Sequence, residues 1–207
     1  MLISHRHKFI FIHIYKNAGT SITQALRPLT GGERRRWLGR KLRGYGLHTR
    51  LDCSPCAPHA TATEIIEGIG RRKFEDYFSF AIVRNPWDWQ VSLYTFVLKD
   101  STHHQHVFMK SLGSFENYIR WRCTEEPVLQ KKFIYSDDGH QLVNFVGRYE
   151  AIDADFSIIC QRIGVSVELP RLNISRTKPW KEFYTVETRD LVQKTFAADI
   201  EQFGYEF

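Results

Sequence analysis

Long apolar runs are missing from this 207-residue sequence. No stretch approaches the roughly 18 consecutive apolar residues that a membrane-spanning helix needs. The beginning of the chain is also unlike a secretory signal, because a basic cluster, residues 5–8, is followed by only a short apolar run that contains His13. We therefore expect a cytoplasmic protein without a transmembrane segment.

Cysteine is also scarce, with four residues in the whole chain. That number excludes a disulfide-dense fold. Cys53 and Cys56 form a single CxxC pair, and the flanking His48 and His59 complete the ligand types of a zinc site. Because a convincing zinc module has two spaced pairs of ligands, structural or incidental thiols are the favoured interpretation, ahead of zinc or redox use, and we expect no metal.

A second group of potential metal ligands consists of His103, His104 and His106. It lacks a cysteine or carboxylate at a suitable spacing, so we predict a polar loop at this position. The roles of this group and of the CxxC pair stay open.

Linkers rich in glycine and serine, internal repeats and low-complexity tracts are absent, which predicts one domain over residues 1–207. The chain carries 29 basic and 23 acidic residues, a net charge of +6. A basic chain suits a nucleotide, a nucleic acid or an acidic glycan as partner, without choosing among them. Residues 33–46 are strongly basic with interleaved aromatics; a solvated face is the favoured interpretation, ahead of an acidic acceptor and then nucleic acid.

The stretch FIFIHIYKNAGTS, residues 9–21, is the most informative segment that is present. Residues 9–14 have the pattern of a short buried strand, and an apolar-periodic helix follows Thr20 and Ser21. Ala18 and Gly19 allow a tight turn between them. Backbone amides at the start of that helix, together with the helix dipole and Lys16, would form an anion site.

The order of residues separates this loop from a Walker A loop, in which lysine follows the last glycine. Here Lys16 precedes Gly19. Two interpretations remain open from this stretch alone: a phosphate-binding loop of another kind, and an ordinary strand–turn–helix with a surface lysine.

A second strand is predicted over residues 77–83, and it leads directly into Arg84. Asn85 suits a helix N-cap and Pro86 a first helical position, so a helix should follow and carry Ser92 about two turns in. An arginine and a hydroxyl beyond a strand end would form a second phosphate site. From this stretch alone, the favoured interpretation is an arginine paired with a nearby carboxylate and a serine without a special role. A nucleoside triphosphatase would want aspartate there to hold magnesium, so the arginine favours a metal-free anion site.

His59 precedes a predicted helix over residues 60–69. The dipole of that helix disfavours an imidazolium at its start and so supports a neutral histidine that can accept a proton. A general base and a polar helix cap are equally good interpretations of this position. His48 and Glu64 are the next candidates for the base.

KNAGTS after one strand, and VRNPWDWQVSLY at the end of another, resemble the sulfotransferases that use 3′-phosphoadenosine-5′-phosphosulfate (PAPS). The similarity is greatest to the carbohydrate sulfotransferase branch (sulfotransferase family 2-like), although Tyr15 stands where that loop often has proline. The residues that match the family's 5′-phosphosulfate loop are Lys16, Asn17, Gly19, Thr20 and Ser21. Those that match its 3′-phosphate pair are Arg84 and Ser92.

The resemblance also implies roles for two further residues. The segment HATA, residues 59–62, is similar to the place where this branch has a catalytic histidine, so His59 would be the base. A late loop containing serine and lysine commonly closes over the nucleotide in this family, so the candidates there are Ser175, Arg176 and Lys178, with Lys178 as the choice for the 3′-phosphate. A surface loop without a role is at least as good an interpretation of this segment. Lys16 would neutralise charge on the leaving oxygen.

The expected fold is a three-layer α/β/α domain with a central parallel sheet and a P-loop-like strand–loop–helix. Further along the chain, a short helix is predicted over residues 141–148, an amphipathic helix over 155–163 that ends at Gly164, and one long helix over 188–205.

The resemblance implies transfer of the sulfuryl group from PAPS to a hydroxyl, with an amine less favoured. The expected acceptor is a carbohydrate such as a glycan or glycolipid. The alternatives are a nucleotide-dependent kinase and a non-catalytic anion or nucleic-acid binder. The acceptor, the position sulfated and the oligomeric state stay open.

Overall fold

The computed structural model describes residues 1–30, 57–171 and 178–207. Its sheet has four strands in the order β1-β2-β3-β4. They are β1 (Leu2–Ser4), β2 (Phe9–Ile12), β3 (Phe78–Val83) and β4 (Phe145–Arg148). β1 pairs antiparallel with β2, whereas β2, β3 and β4 run parallel. The mainly parallel sheet and the three-layer α/β/α class predicted from the sequence are confirmed.

The chain divides into two compact units. The first contains the described residues of Met1–Val83 and Lys132–Asn173, and therefore the whole sheet. Its helices are α1 (Gly19–Leu26), α2 (Ala62–Ile69), α3 (Arg71–Glu75) and α7 (Ile152–Arg162), and a 3-10 helix, Arg27–Thr30, continues α1.

Side chains buried on both faces of the central strands build the core of the first unit. Phe9 and Phe11 of β2 share a cluster with Phe80 of β3, and α1 and α7 cover this face of the sheet. Ile10 and Ile12 point to the other face by the period of a strand, and both are also fully buried. Strands buried on both faces are typical of parallel sheets, which explains the continuous apolar run FIFI.

The second unit contains Arg84–Lys131 and the described part of Ile174–Phe207. Its helices are α4 (Pro86–Lys99), α5 (His106–Ser111), α6 (Phe115–Thr124), α8 (Val186–Thr195) and α9 (Ala197–Phe203), with a 3-10 helix at Trp180–Phe183. Aromatic side chains fill its core. Two of them also donate hydrogen bonds to the backbone: Trp87 Nε1 donates to the Arg189 carbonyl at 3.0 Å, and the Tyr184 hydroxyl donates to the Trp87 carbonyl at 2.9 Å. Asn85 caps α4 as predicted, since its side chain accepts from the amides of Trp87 and Asp88.

Two predicted helices are wrong. Residues 141–148 contain β4 instead, because Phe145–Arg148 pairs in parallel with β3 and a 3-10 turn follows. Gly147 permits this pairing: a Cβ there would lie 2.7 Å from the Ile82 side chain. The long tail helix is broken into α8 and α9 at Phe196, while Asp199 accepts hydrogen bonds from the backbone of Gln130 and Lys131.

Other elements agree with the sequence interpretation to within a few residues. The predicted helix at 155–163 corresponds to α7, and Gly164 follows it with a φ of +68°. β1 was not predicted, and it is only three residues long. Within the three described ranges, no helix has the length and apolar character needed to cross a membrane.

Candidate active site

The connection between β2 and α1 turns sharply. Lys16 has a φ of +64° and Ala18 a φ of +57°, and α1 begins at Gly19 directly after the left-handed Ala18. Among the residues that the structure describes, no side chain caps this helix. The predicted strand–turn–helix is present, and uncapped amides at the positive end of a helix dipole are suited to binding an anion.

The loop is fixed to the sheet by Asn17. This side chain is 1% exposed, and its Nδ2 donates to the carbonyl of Ile82 in β3 at 2.9 Å. Among the neighbouring residues, Thr20 is exposed, Lys16 is half-buried and Ser21 is buried. Asn17 therefore anchors the loop, and Thr20 and Lys16 retain access to solvent.

His13 is a component of the site that the sequence analysis did not select. Its imidazole occupies the space where a side chain of residue 19 would begin: a Cβ on Gly19 would lie 1.7 Å from His13 Nε2. Gly19 is thus required here by the close approach of a side chain, at the first residue of α1. The same ring stacks on Phe11 with centroids 5.7 Å apart.

His13 is held in the neutral form. Burial lowers the pKa of its imidazole to about 3, and repulsion from His59 and from the amino terminus acts in the same direction. His13 therefore contributes an uncharged ring beside the anion loop at any pH near neutrality.

His59 lies next to His13. Their ring centroids are 4.6 Å apart, and His59 Nδ1 is 2.9 Å from the His13 carbonyl oxygen. Because a carbonyl can only accept, Nδ1 carries the hydrogen and Nε2 of neutral His59 is the nitrogen with a lone pair. The exposed imidazole also meets the Tyr15 ring edge-on at 5.9 Å, and Tyr15 in turn contacts Phe133.

The cap of α2 is Thr61 and not His59. Thr61 accepts from the amide of Glu64, and the Glu64 carboxylate accepts from the amide of Thr61 at 2.7 Å, which is a complete capping box. This removes the capping interpretation of His59 and occupies Glu64, the alternative base, with a structural role. His48, the other alternative, lies outside the described residues.

Arg84 directly follows Val83, the last residue of β3. It is 4% exposed, and its Nε donates to Asp88 Oδ2 at 2.6 Å, so the pairing with a nearby carboxylate that was left open from the sequence is present. A guanidinium has five N–H donors, and this contact uses the one at Nε.

The backbone of Arg84 is held by the buried side-chain amide of Gln130. Gln130 Oε1 accepts from the Arg84 amide at 2.9 Å, and Gln130 Nε2 donates to the Arg84 carbonyl at 2.7 Å. Gln130 is in turn fixed by Asp199, whose Oδ2 accepts from the Gln130 amide at 2.6 Å. Burial raises the pKa of Asp199 to about 6, against the lowering effect of its two backbone donors.

The remaining predicted residues occupy separate positions in the second unit. Ser92 is half-buried within α4. Lys178 is exposed; its Nζ donates to the Glu182 carbonyl at 3.3 Å and lies 4.3 Å from the centre of the Phe183 ring. Ser175 and Arg176 lie outside the described residues, as do the basic stretch 33–46 and the Cys53–Cys56 pair.

A family model described as the sulfotransferase family matches residues 1–206. The chain belongs to the sulfotransferase family. The match covers both sequence motifs and the histidine between them, and it supports sulfotransfer as the general activity. A comparison with curated proteins found no match.

Sequence reasoning did not select three residues of this sulfotransferase: His13, Gln130 and Asp199. His13 is one of nine histidines, and nothing local marks it as different from the others. The only available signal was its position at the end of a buried strand, three residues before Lys16. Gln130 and Asp199 carried no signal, since both act on Arg84 from distant parts of the sequence.

The histidines 103, 104 and 106 of the sulfotransferase form a local cluster. The rings of His103 and His104 stack at 4.4 Å, and His106 Nδ1 is 2.9 Å from the Val97 carbonyl. In the part of the chain that the structure describes, no three histidine, cysteine or acidic side chains are placed to hold a metal ion.

Proposed function

We propose that the protein transfers the sulfuryl group of PAPS to a hydroxyl of a carbohydrate acceptor, with an amine as the less favoured acceptor. Membership of the sulfotransferase family supports the transfer itself. The choice of donor follows from the resemblance of the KNAGTS and VRNPWDWQVSLY motifs to PAPS-dependent enzymes. The observation that carries the proposal is the uncapped start of α1, with Lys16 three residues before it.

The 5′ end of the donor fits the β2–α1 loop. The amides of Gly19, Thr20 and Ser21 and the dipole of α1 would receive the 5′-phosphate, and the Lys16 ammonium would neutralise charge that develops on the bridging oxygen. Asn17 would hold the loop in position through its hydrogen bond to Ile82. These residues fit an anionic group because they combine a helix start that no described side chain caps with a cation.

The 3′-phosphate is assigned to Arg84 and Ser92, with Lys178 as a further contact. A guanidinium paired with Asp88 is a charged donor that suits a tetrahedral anion. The Asp88 carboxylate competes with the phosphate for the positive charge of Arg84. Binding at Arg84 is therefore expected to be selective for a dianionic phosphate, which can outcompete the shared carboxylate.

His59 would accept the proton of the acceptor. In the transfer step the acceptor oxygen forms a bond to sulfur, the bond from sulfur to the bridging phosphate oxygen breaks, and the acceptor proton passes to His59 Nε2. Adenosine 3′,5′-bisphosphate leaves with the electron pair of the broken bond, next to Lys16. His59 suits this task because its Nδ1 hydrogen is already committed to the His13 carbonyl.

A carbohydrate is proposed as the acceptor on two grounds. The motifs are most similar to those of the carbohydrate sulfotransferase branch, and the net charge of +6 suits an acidic glycan or a glycolipid.

Calorimetry tests the donor. Adenosine 3′,5′-bisphosphate should bind at least ten times more tightly than AMP, and the preference should persist in a chelator. Tight ATP binding that requires magnesium would support a kinase instead. Affinity that falls steeply with salt, without preference for the 3′-phosphate, would support a nucleic-acid binder. A screen of glycans and glycolipids with labelled PAPS then tests the acceptor.

A further inference from the structure

We propose that His13 is a positioning residue for this reaction: its neutral ring fills the place of the missing Gly19 side chain, and its carbonyl fixes His59 with Nε2 as the basic nitrogen. The inference deepens the proposed function and rests on it. It assigns a role to a histidine that neither of the two sequence motifs includes.

The first support is steric. His13 Nε2, Cδ2 and Cε1 would lie 1.7, 2.0 and 2.6 Å from a Cβ at position 19, so the ring and any larger residue there exclude each other. The ring is stacked on Phe11 on one side and lies 4.6 Å from His59 on another. His13 thus packs between the sheet, the start of α1 and the proposed base.

The second support is the hydrogen bond between the histidines. The 2.9 Å contact joins His59 Nδ1 to the backbone oxygen of His13, so the position of that oxygen determines which nitrogen of His59 is basic. Because the His13 ring packs against Gly19, residue 13 connects the start of α1 to the carbonyl that accepts from His59. The same residue therefore sets the anion loop and the base.

The charge state of His13 agrees with this role. The groups that face it are His59 and the amino terminus of Met1, and both disfavour a second positive charge there. A protonated His13 would repel a protonated His59 at the moment when His59 has accepted a proton. A ring that stays neutral avoids this repulsion.

The test is nuclear magnetic resonance of the full chain with isotope-labelled histidine, in which the protonated and bare ring nitrogens are distinguishable. His13→Phe and His59→Phe assign the two signals. In the unaltered protein, neutral His59 should carry its hydrogen on Nδ1, and His13 should remain neutral down to a pH of about 3. Gly19→Ala should displace the ring, raise the titration midpoint of His13 towards 6.5 and remove the Nδ1 tautomer of His59.

Hydrogen on Nε2 of His59 in the unaltered protein would overturn the inference, and this measurement needs only the His59→Phe variant, at an exposed position, to assign the signal. An unchanged His59 tautomer in a folded Gly19→Ala variant would overturn it as well. Binding of adenosine 3′,5′-bisphosphate to the unaltered protein, measured on the same sample, separates the two hypotheses. If the bisphosphate does not bind while both histidines behave as expected, the proposed function fails and the histidine arrangement stands.

Discussion

At the scale of single residues, the two charged groups assigned to the donor have different environments. Lys16 is half-buried on a loop with a left-handed backbone, whereas Arg84 is buried and already paired with Asp88. A lysine on such a loop acts as a point charge near the reacting oxygen. An arginine held by a carboxylate acts as an oriented planar donor. Their removal should therefore affect different measurements.

Replacement of Lys16 by alanine should lower turnover by about 10²–10³-fold, the effect expected for the loss of one contact to a developing charge. Transfer of labelled sulfate measures it, once an acceptor is known. Lys73→Ala is the matched control, because Lys73 is an exposed lysine on α3 in the same unit. Equal loss in both variants would contradict a specific role for Lys16.

Removal of Arg84 alone would leave the Asp88 carboxylate buried without this cation, which destabilises a protein by about 3–5 kcal/mol. The double variant Arg84→Ala with Asp88→Ala removes both charges. It should weaken binding of adenosine 3′,5′-bisphosphate by about 1.5–3 kcal/mol, the value of a charged hydrogen bond, and leave AMP binding unchanged. Calorimetry with both nucleotides gives the comparison. A parallel loss of AMP affinity would show that Arg84 does not read the 3′-phosphate.

At the scale of elements, some helices begin with a side-chain cap and others begin without one. α2 and α4 are capped by side chains, Thr61 and Asn85, whereas α1 begins without one. A helix start that lacks a cap is less stable by itself and is left open to an anion. Among the described residues, α3, α5, α7 and α9 also begin without a side-chain cap. The proposed donor site at α1 therefore depends on an uncapped start together with Lys16 on the loop that leads into it.

Thr61→Ala should destabilise the first unit by about 1 kcal/mol, because it removes the Thr61 half of the capping box of α2. Urea unfolding measures the change. Thr63→Ala is the matched control, since Thr63 is an exposed residue inside the same helix and should change stability by no more than about 0.5 kcal/mol. Similar losses in the two variants would contradict the assignment of the cap.

At the scale of the whole molecule, two buried titratable groups give the stability an unusual dependence on pH. The pKa of His13 is lowered to about 3 from its ordinary value of 6.5, and the pKa of Asp199 is raised to about 6 from its ordinary value of 3.8. Between pH 6.5 and 3 the unfolded chain binds a proton at His13 that the folded protein does not, so stability falls as the pH falls. Between pH 6 and 3.8 the folded protein binds the extra proton at Asp199, so this group has the opposite effect.

We therefore expect His13→Phe to remove an acid sensitivity of about 1.4 kcal/mol per pH unit below pH 6.5. Asp199→Asn should instead make the protein more acid-sensitive between pH 6 and 3.8, where the two groups offset each other. Urea unfolding at a series of pH values measures both. Parallel curves for the unaltered protein and His13→Phe would contradict the neutral state assigned to His13.

The location in the cell, the single-domain organisation and the acceptor stay predictions. The two compact units are divided at the bond between Val83 and Arg84 and again after Lys131, so the second unit is built from two separate stretches of chain. The sequence does not mark a boundary between β3 and Arg84, because the composition does not change along the VRNPW segment that crosses it.

The sequence by itself determined the features that depend on neighbours a few residues apart. These include the buried strands β2 and β3, the turn at Ala18–Gly19, the Asn85 cap and the glycine that ends α7. Side-chain period, left-handed backbone and capping all act within one or two turns, so the pattern of adjacent residues is sufficient to indicate them.

Tertiary structure alone decided the features that join distant residues. His59 meets the carbonyl of His13 across 46 positions, Gln130 clamps Arg84 across the same separation, and Phe145–Arg148 became a strand only through pairing with β3. Such contacts depend on which surfaces the folded chain brings together, and side-chain packing outweighs the weak local preference of a four-residue segment. The residues that orient the proposed base and the proposed phosphate ligand therefore became visible only in the folded molecule.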